Sequence, residues 1–302
     1  MERSHRVQPD DPRNRRHRTT AAWTVLALCC AATSSSSEAQ EGRPSAREPV
    51  YRVSKAKLDS QSKHPLDPAL DMARQGLEKI QSGVRDYTCI LVKRERVKGE
   101  LGDHQFIFTK VRNRQVRDGR TAVPFSVYMY FLKPSEVKGR EVIYVEGQNN
   151  NKLCAHEGGR RGNLLPSVWL APDSMLAMQG QLYPITDVGI ENLIVKLIER
   201  GERERKFPEV EVGFKSQARV KDRTCTVLEI RHPQHRPDYE FYHAQVFIDD
   251  ELRIPIRYAA YGWPENKDEE PPLIEEYTYM DLKINAGLTD SDFDTKNEKY
   301  NF

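Results

Sequence analysis

Residues 125–156 read FSVYMYFLKPSEVKGREVIYVEGQNNNKLCAH, and this stretch decides the fold. Two runs rich in β-branched and aromatic residues, 125–132 and 140–146, are separated by a short polar segment. Residues 147–150 are Gly, Gln and Asn, which are typical of a turn, and a third β-forming run covers 152–156. Connections this short allow antiparallel pairing, whereas parallel strands need a long crossover. The stretch therefore predicts an antiparallel meander.

Further runs of β-forming residues lie on both sides of this stretch. They cover residues 87–97 and 105–111 before it, and 210–220, 224–231, 241–249, 254–261 and 273–284 after it. The connections are short and rich in Gly, Asn and Pro, as in antiparallel sheets. Residues 290–302 form an acidic tail, which we expect to lie loosely against the domain.

A helix is predicted before the first strand. Apolar residues recur at three- and four-residue spacing over residues 66–80. Asp67 is a suitable N-cap, Pro68 suits the first helical position, and Gly83 is placed as a C-cap glycine. One face of this helix is apolar, so we expect it to pack against the sheet.

A second helix interrupts the series of strands. Thr186 can cap it, residues 190–198 carry an apolar stripe, and Gly201 is expected to end it. The order is therefore helix, strands, helix, strands. This order predicts an α+β fold with a large antiparallel sheet and helices gathered on one face.

The N-terminal residues have the pattern of a secretory signal. A basic segment, 13–18, precedes the apolar run 21–32, and small residues lead to Ala39 and Gln40. The apolar run is about a dozen residues long, whereas a transmembrane helix needs roughly 20. We therefore expect a signal peptide over residues 1–39, cleaved between Ala39 and Gln40, and a periplasmic or secreted protein.

An alternative for the same segment is a lipoprotein signal. In that case a cysteine, Cys29 or Cys30, would be acylated and become the new N-terminus. The residue before that cysteine should be small, and Leu28 is not. Acylation therefore stays open as the less favoured alternative.

Composition limits the remaining possibilities. Residues 40–64 are polar and lack a periodic pattern, so we expect a flexible lead, followed by one domain over 65–302. Without the signal, basic and acidic residues are equal in number. A nucleic-acid-binding protein usually has a basic excess, so no nucleic-acid partner is expected.

Three cysteines remain after the signal. Cys89, Cys154 and Cys225 include no CxxC pair, which argues against a zinc site or a disulfide framework. Either one bridge and one free thiol, or three buried thiols, would fit this number.

Beyond these patterns, residues 66–302 resemble an uncharacterised bacterial family, domain of unknown function 1571. The motifs that carry the resemblance are YTC at 87–89, KRERV at 93–97, VYM at 127–129, KGREVIY at 138–144, AMQGQ at 177–181, YPIT at 183–186 and EEYTY at 275–279. The hairpin FIDDELRIPIRY, 247–258, is similar to one in LolA/LolB-like lipoprotein carriers. The resemblance implies a LolA-like half-barrel in the cell envelope and no established activity, catalytic residue or cofactor.

In LolA-like carriers, acyl chains lie between a curved sheet and its helices. The resemblance therefore implies an apolar ligand, a lipid or a lipoprotein as partner of a non-enzymatic, membrane-adjacent protein. The residues expected to line such a cavity are Phe106, Phe108, Met129, Phe131, Ile143 and Val145, opposite Leu193 and Leu197. A register slip of one residue would exchange the strand residues that face the cavity. The alternative is a structural or protein-interaction module whose interior is filled by side chains.

Two acidic or histidine-rich groups have simpler explanations than a metal site. His232, His235 and His243 could share an ion if a turn brought them together, but they lie in an ordinary polar connection. Residues 249–251 are acidic and could bind calcium, yet a hairpin turn explains them. No metal site is therefore predicted.

Two further groups of residues are candidates for a catalytic site or for binding lipid headgroups. Cys154 and His156 point to the same side of a strand, but no catalytic motif accompanies them. Lys110, Arg112 and Arg114 alternate along a strand and could contact anionic headgroups. A solvated strand face is the simpler explanation for these basic residues.

Overall fold

The computed structural model describes residues 64–266 and 268–302. The helices are α1 (Asp67–Gly83) and α2 (Ile190–Glu204). The strands are β1 (Asp86–Val97), β2 (Glu100–Leu101), β3 (Gln105–Arg112), β4 (Gln115–Arg117), β5 (Arg120–Val123), β6 (Ser126–Lys133), β7 (Glu141–Val145), β8 (Leu153–His156), β9 (Val168–Leu170), β10 (Glu211–Val220), β11 (Arg223–Arg231), β12 (His243–Asp249), β13 (Pro255–Tyr261) and β14 (Leu273–Ile284).

Twelve of these strands form one open, antiparallel sheet. Its order is β10-β11-β12-β13-β14-β1-β3-β6-β7-β8-β9, and β2 pairs with β1 alone. The edge strands β10 and β9 do not pair with each other, while β4 and β5 form a separate hairpin. Both helices pack on the same side of the sheet, called the inner face below. The predicted α+β class with a large antiparallel sheet is confirmed.

Several predictions concern residues that the structure does not describe. The signal peptide 1–39, its cleavage between Ala39 and Gln40, and acylation of Cys29 or Cys30 all lie outside the described residues, as does the lead 40–64 apart from His64. Neither α1 nor α2 combines the length and the apolar composition that a membrane span requires.

Strand β1 shows how the sequence places the core. Its side chains alternate between buried and partly exposed positions, because successive residues of a strand point to opposite faces. Tyr87, Cys89 and Leu91 are buried on the inner face. The same alternation carries Lys93 and Glu95, both 7% exposed, onto that face. The inner face therefore changes from apolar to charged along this strand.

Helix α1 begins one residue earlier than the predicted N-cap implies. Leu66 occupies the N-cap position without a side-chain cap, and Asp67 is already helical. The Asp67 carboxylate instead accepts a hydrogen bond from the His64 amide (3.0 Å) and pairs with Arg205 (2.8 Å). Gly83 is the last helical residue, so the C-cap position falls to Val84.

Helix α2 begins and ends later than predicted. Gly189, at φ 117°, is its N-cap, and the amide of Ile190 donates to the hydroxyl of the buried Tyr87 (2.9 Å). Gly201 does not end the helix but lies buried within it. A Cβ atom on Gly201 would lie 2.8 Å from Cδ2 of Leu70, so a glycine lets α1 and α2 approach closely. Thr186 belongs to a separate 3₁₀ turn.

The C-terminal tail is packed tightly on the outer face, so the expectation of a loose tail is wrong. Phe293 is buried there with Tyr128, and Tyr300 stacks on Tyr128. Two ion pairs join the tail to β3: Lys110 to Asp292 (2.7 Å), and Arg112 to Asp290 (2.6 Å). The basic residues on this strand therefore bind acidic residues of the same chain.

Candidate ligand-binding cavity

The inner face has two parts that differ in packing. Over β11 and β12, the helices α1 and α2 fill the space closely, and only about 50 Å³ remains between Leu70 and Phe241. On the other side of α2, over β1, β6, β7, β8 and β9, lies a cavity of about 620 Å³. The segment 165–189, between β8 and α2, contributes a further wall. This cavity is the candidate functional site.

Apolar side chains form the part of the cavity that is built from the sheet edge. Met129, Phe131, Val142, Leu153, Val168 and Leu170 come from four consecutive strands, β6 to β9. Leu193 and Leu197 face them from α2, because residues four apart lie on one side of a helix. This surface is suited to an apolar chain.

Half of the eight predicted lining residues lie at this cavity. Met129 and Phe131 of β6 line it, as do Leu193 and Leu197 of α2. On β6 the inner face is therefore the one that the sequence indicated. Whether these residues contact a ligand stays a prediction.

The other four predicted lining residues lie on the opposite side of the sheet, which corrects their expected placement. Phe108, Ile143 and Val145 belong to the outer-face cluster that the C-terminal tail covers, and Phe106 shares the Phe108 side of β3. Ile107 occupies the inner face of β3 instead. The placement differs by one residue on each strand, and a one-residue shift exchanges the two faces.

Charged and polar side chains form a second part of the cavity lining, called the polar end below. Lys93 pairs with Glu95 (3.1 Å) on the same strand, and both side chains are more than nine-tenths buried. Gln181 also accepts a hydrogen bond from Lys93, and the amide of Leu182 donates to Glu95 (3.2 Å). Burial lowers the pKa of Lys93, and the neighbouring Glu95 opposes that shift. The two charges therefore neutralise each other inside the protein.

The hydroxyl of Tyr277 joins two buried carboxyl groups beside this pair. It lies 2.6 Å from Oε1 of Glu95 and 3.1 Å from Oε2 of Glu275. A hydroxyl has one proton, so it can donate to only one of them. Burial raises the pKa of Glu275, while the charge of Arg200 and the hydrogen bond donated by Tyr277 oppose that shift. Glu95, Tyr277 and Glu275 thus form a connected group of buried polar side chains.

Arg200 of α2 completes the polar end. Its Nη1 donates to the hydroxyl of Tyr258 (2.7 Å), and Nη2 pairs with Glu240 at the surface. The Nε of Arg200 and the Oε1 of Gln105 are buried and have no partner among the described residues. Both residues line the cavity. Buried polar atoms of this kind usually have a partner, so the polar end can accept a further group.

The polar end of the cavity is absent from the predicted lining residues, although the sequence contains a signal for it. Lys93 and Glu95 follow Cys89 and Leu91 at the same two-residue spacing along the strand. This spacing predicts that both charged side chains lie on the buried face. Charged residues are rarely buried unless they are paired. A lysine and a glutamate two residues apart in a half-buried strand therefore indicate an internal pair.

The histidines do not form a common site. His232 is fully buried, stacks on Tyr239, and contacts Glu204 of α2 (3.2 Å). His235 packs edge-on against a tryptophan, and His243 stacks on a different tyrosine. Within the described part of the chain, no three metal-binding side chains are grouped to hold an ion.

The acidic turn at 249–251 is stabilised by protein groups. Asp249 pairs with Arg223 (2.7 Å) and accepts hydrogen bonds from the amides of residues 251 and 252 (2.9 and 2.8 Å). Asp250 accepts from the hydroxyl of Thr226 (2.7 Å). These contacts occupy the carboxylates as a hairpin turn requires.

The three described cysteines are buried, free thiols. Burial raises the pKa of Cys154 to about 11, which keeps the thiol protonated at neutral pH. His156 on the same strand lies 3.1 Å from the hydroxyl of Ser167 through Nδ1. A buried, protonated thiol is a poor nucleophile.

Similar solved structures share a low level of sequence identity with this chain. They include the lipoprotein LppX of Mycobacterium tuberculosis (15% identity, 74% of this chain, 98% of the other, TM-score 0.41). A LolA superfamily protein of Nitrosomonas europaea has 10% identity over 74% of this chain and 97% of the other, with a TM-score of 0.30. A putative outer membrane lipoprotein-sorting protein domain of Vibrio parahaemolyticus has 13% identity over 74% of this chain and 97% of the other, with a TM-score of 0.34. The fold assigned above rests on the strand pairing itself.

No curated protein matches this sequence. The model of one protein family matches residues 84–302, which is most of the chain and nearly all of the described part. This match contains the sheet from β1 to β14, helix α2 and the tail. The chain therefore belongs to the family described as Protein of unknown function (DUF1571).

Proposed function

We propose that the domain over residues 65–302 binds an amphiphile, such as a lipid or the acylated part of a lipoprotein, and catalyses no reaction. The observation that carries the proposal is the cavity of about 620 Å³ beside α2, which falls in the size range of ligand pockets. The walls of β6 to β9 would bury an acyl chain, and each buried methylene contributes about 0.8 kcal/mol.

The polar end of the cavity supports an amphiphile over a pure hydrocarbon. The unpartnered atoms of Arg200 and Gln105 are suited to a hydroxyl, ester or amide group. Lys93 and Glu95 already neutralise each other, so they supply no excess charge for an ionic head. A ligand with one polar end and one apolar chain matches both ends.

We propose further that the protein is exported, because residues 1–39 have the order of a secretory signal. An exported, membrane-adjacent protein would meet lipids and lipoproteins in its own compartment. The alternative of an interaction module requires an interior filled by side chains. The cavity beside α2 weighs against that alternative.

The test is binding of N-phenyl-1-naphthylamine, an uncharged probe whose fluorescence rises in apolar surroundings. We expect the protein to bind the probe and palmitate or lysophosphatidylcholine to displace it. Ala155→Trp fills the cavity from β8 and should abolish binding. Ala122→Trp places the same side chain at an exposed position of β5 and should leave binding intact.

Two results would contradict the proposal. The first is a wild-type protein that takes up no probe. The second is equal binding by the wild type and Ala155→Trp, because the probe would then lie outside the cavity. Circular dichroism checks that both proteins are folded.

A further inference from the structure

Exposed apolar side chains are concentrated in one short segment. Among the described residues, eight large apolar side chains are exposed, and six of them fall between residues 164 and 176. These six are Leu164, Leu165, Val168, Trp169, Met175 and Leu176. Leu164 is 81% and Met175 is 91% exposed, so each touches little of its own chain. We call this group the apolar rim, and such a concentration marks an interaction surface.

The apolar rim is continuous with the cavity. Leu165, Val168 and Leu176 are exposed at 46%, 41% and 59%, and the same three residues line the cavity wall. The rim therefore surrounds a place where the cavity meets the solvent. Whatever covers the rim also lies against the entrance of the cavity.

We propose that the apolar rim docks on the surface of a lipid bilayer that contains anionic lipids, and that an amphiphile enters the cavity there; this rests on the proposed function. Protruding leucine and methionine side chains enter a bilayer without needing a matching surface, and tryptophan favours its interface. Residues 157–173 contain two arginines and two acidic residues, and one of the acidic residues, Glu157, is already paired with Arg140 (3.0 Å). The remaining basic excess favours a negatively charged surface.

The strand beneath the rim argues against a peptide partner that adds to the sheet. β9 is an edge strand of only three residues, Val168–Leu170, and short edge strands offer few backbone groups for pairing. Only two of the six rim residues, Val168 and Trp169, lie on β9, and the other four come from the segments on either side of it. A deformable bilayer can accept side chains at different heights.

The experiment measures flotation of the purified full chain with vesicles of phosphatidylcholine, with and without an equal part of phosphatidylglycerol. We expect flotation with the anionic vesicles, and about tenfold weaker partitioning for the double variant Leu164→Ser, Met175→Ser. The matched control is Val116→Ser, an exposed apolar residue of the β4–β5 hairpin, which should bind like the wild type. Both rim residues are so exposed that their replacement should not affect folding.

Three results would overturn the inference: no flotation of the wild type with anionic vesicles, equal flotation of the double variant, or lipid-free self-association that the double variant abolishes. The last result would identify a second copy as the occupant. Ala155→Trp separates this inference from the proposed function, because this variant should no longer bind the probe but should still float with the anionic vesicles. Probe binding without flotation refutes the docking alone, and flotation without probe binding refutes the cavity function alone.

Discussion

The ring of Tyr300 stacks on the ring of Tyr128, with centroids 4.1 Å apart and planes inclined by 13°. The hydroxyl of Tyr300 also accepts a hydrogen bond from Lys110 (3.0 Å), which lies on β3, next to the strand β6 that carries Tyr128. The Asn301 amide, next in the chain, donates to the buried Glu141 (3.2 Å). The tail thus covers the outer face of the three strands β3, β6 and β7.

Removing this stack should destabilise the domain. Tyr300→Ala is expected to lower the free energy of unfolding by about 2 kcal/mol, because it removes an aromatic pair, a hydrogen bond and buried apolar area. Urea denaturation measures the loss. Glu298→Ala, at an exposed position of the same tail, should change it by less than about 0.5 kcal/mol. Equal effects of the two changes would mean that the tail does not stabilise the sheet.

Two glycine substitutions should differ in their effect on stability. Gly201→Ala gains about 1 kcal/mol of helix propensity but forces Leu70, which is 3% exposed, out of its packed position. Overpacking costs about 1–3 kcal/mol, so we expect a net loss of about 1 kcal/mol. Gly213→Ala on β10 meets nothing within 4 Å and should be neutral or slightly stabilising. Thermal unfolding midpoints compare the two, and a stabilising Gly201→Ala would contradict the close helix contact.

The buried carboxyl group of Glu275 should make stability depend on pH. Burial raises its pKa in the folded state, so above about pH 4.5 the unfolded chain releases a proton that the folded chain retains. The contribution of Glu275 to stability is therefore largest at low pH and falls as the pH rises toward the raised pKa.

Glu275→Gln removes this titration. The stability of the wild type relative to Glu275→Gln should fall as the pH rises above about 4.5, measured by urea unfolding. Glu78→Gln, at an exposed site of α1, controls for a general effect of losing a carboxylate. A difference that stays constant or grows with pH would show that Glu275 is ionised in the folded protein.

The long strands and the sheet class could be predicted from sequence because their patterns are regular. β1 and β14 each have 12 residues, and β-forming residues fill both. The short strands β2, β4, β5 and β9 have two to four residues, which is too few for a periodic pattern. Their pairing depends on neighbouring strands and not on their own composition.

The faces of β3 and β7 could not be predicted because both faces of these strands are covered. Phe108 packs outward under the tail while Ile107 packs inward, so apolar residues follow one another without alternation. Ile143 and Val142 differ in the same way on β7. To assign these faces from sequence, one would need to know that the tail covers the outer face. The acidic composition of the tail indicates a solvated segment instead.

Helix ends were uncertain for a related reason. Gly201 looks like a helix terminus in sequence, because glycine is common there. In the structure its missing side chain makes room for Leu70 of another helix. Only the tertiary contact distinguishes the two uses of glycine.

The close packing over β11 and β12 and the hollow over β6 to β9 belong to one continuous sheet, yet they meet separate demands. The dense side can anchor the fold while residues around the hollow change in size. Substitutions around the hollow can therefore change its size and shape with little loss of foldability. Within the family, side-chain volume should vary most around the hollow and least beneath the paired helices.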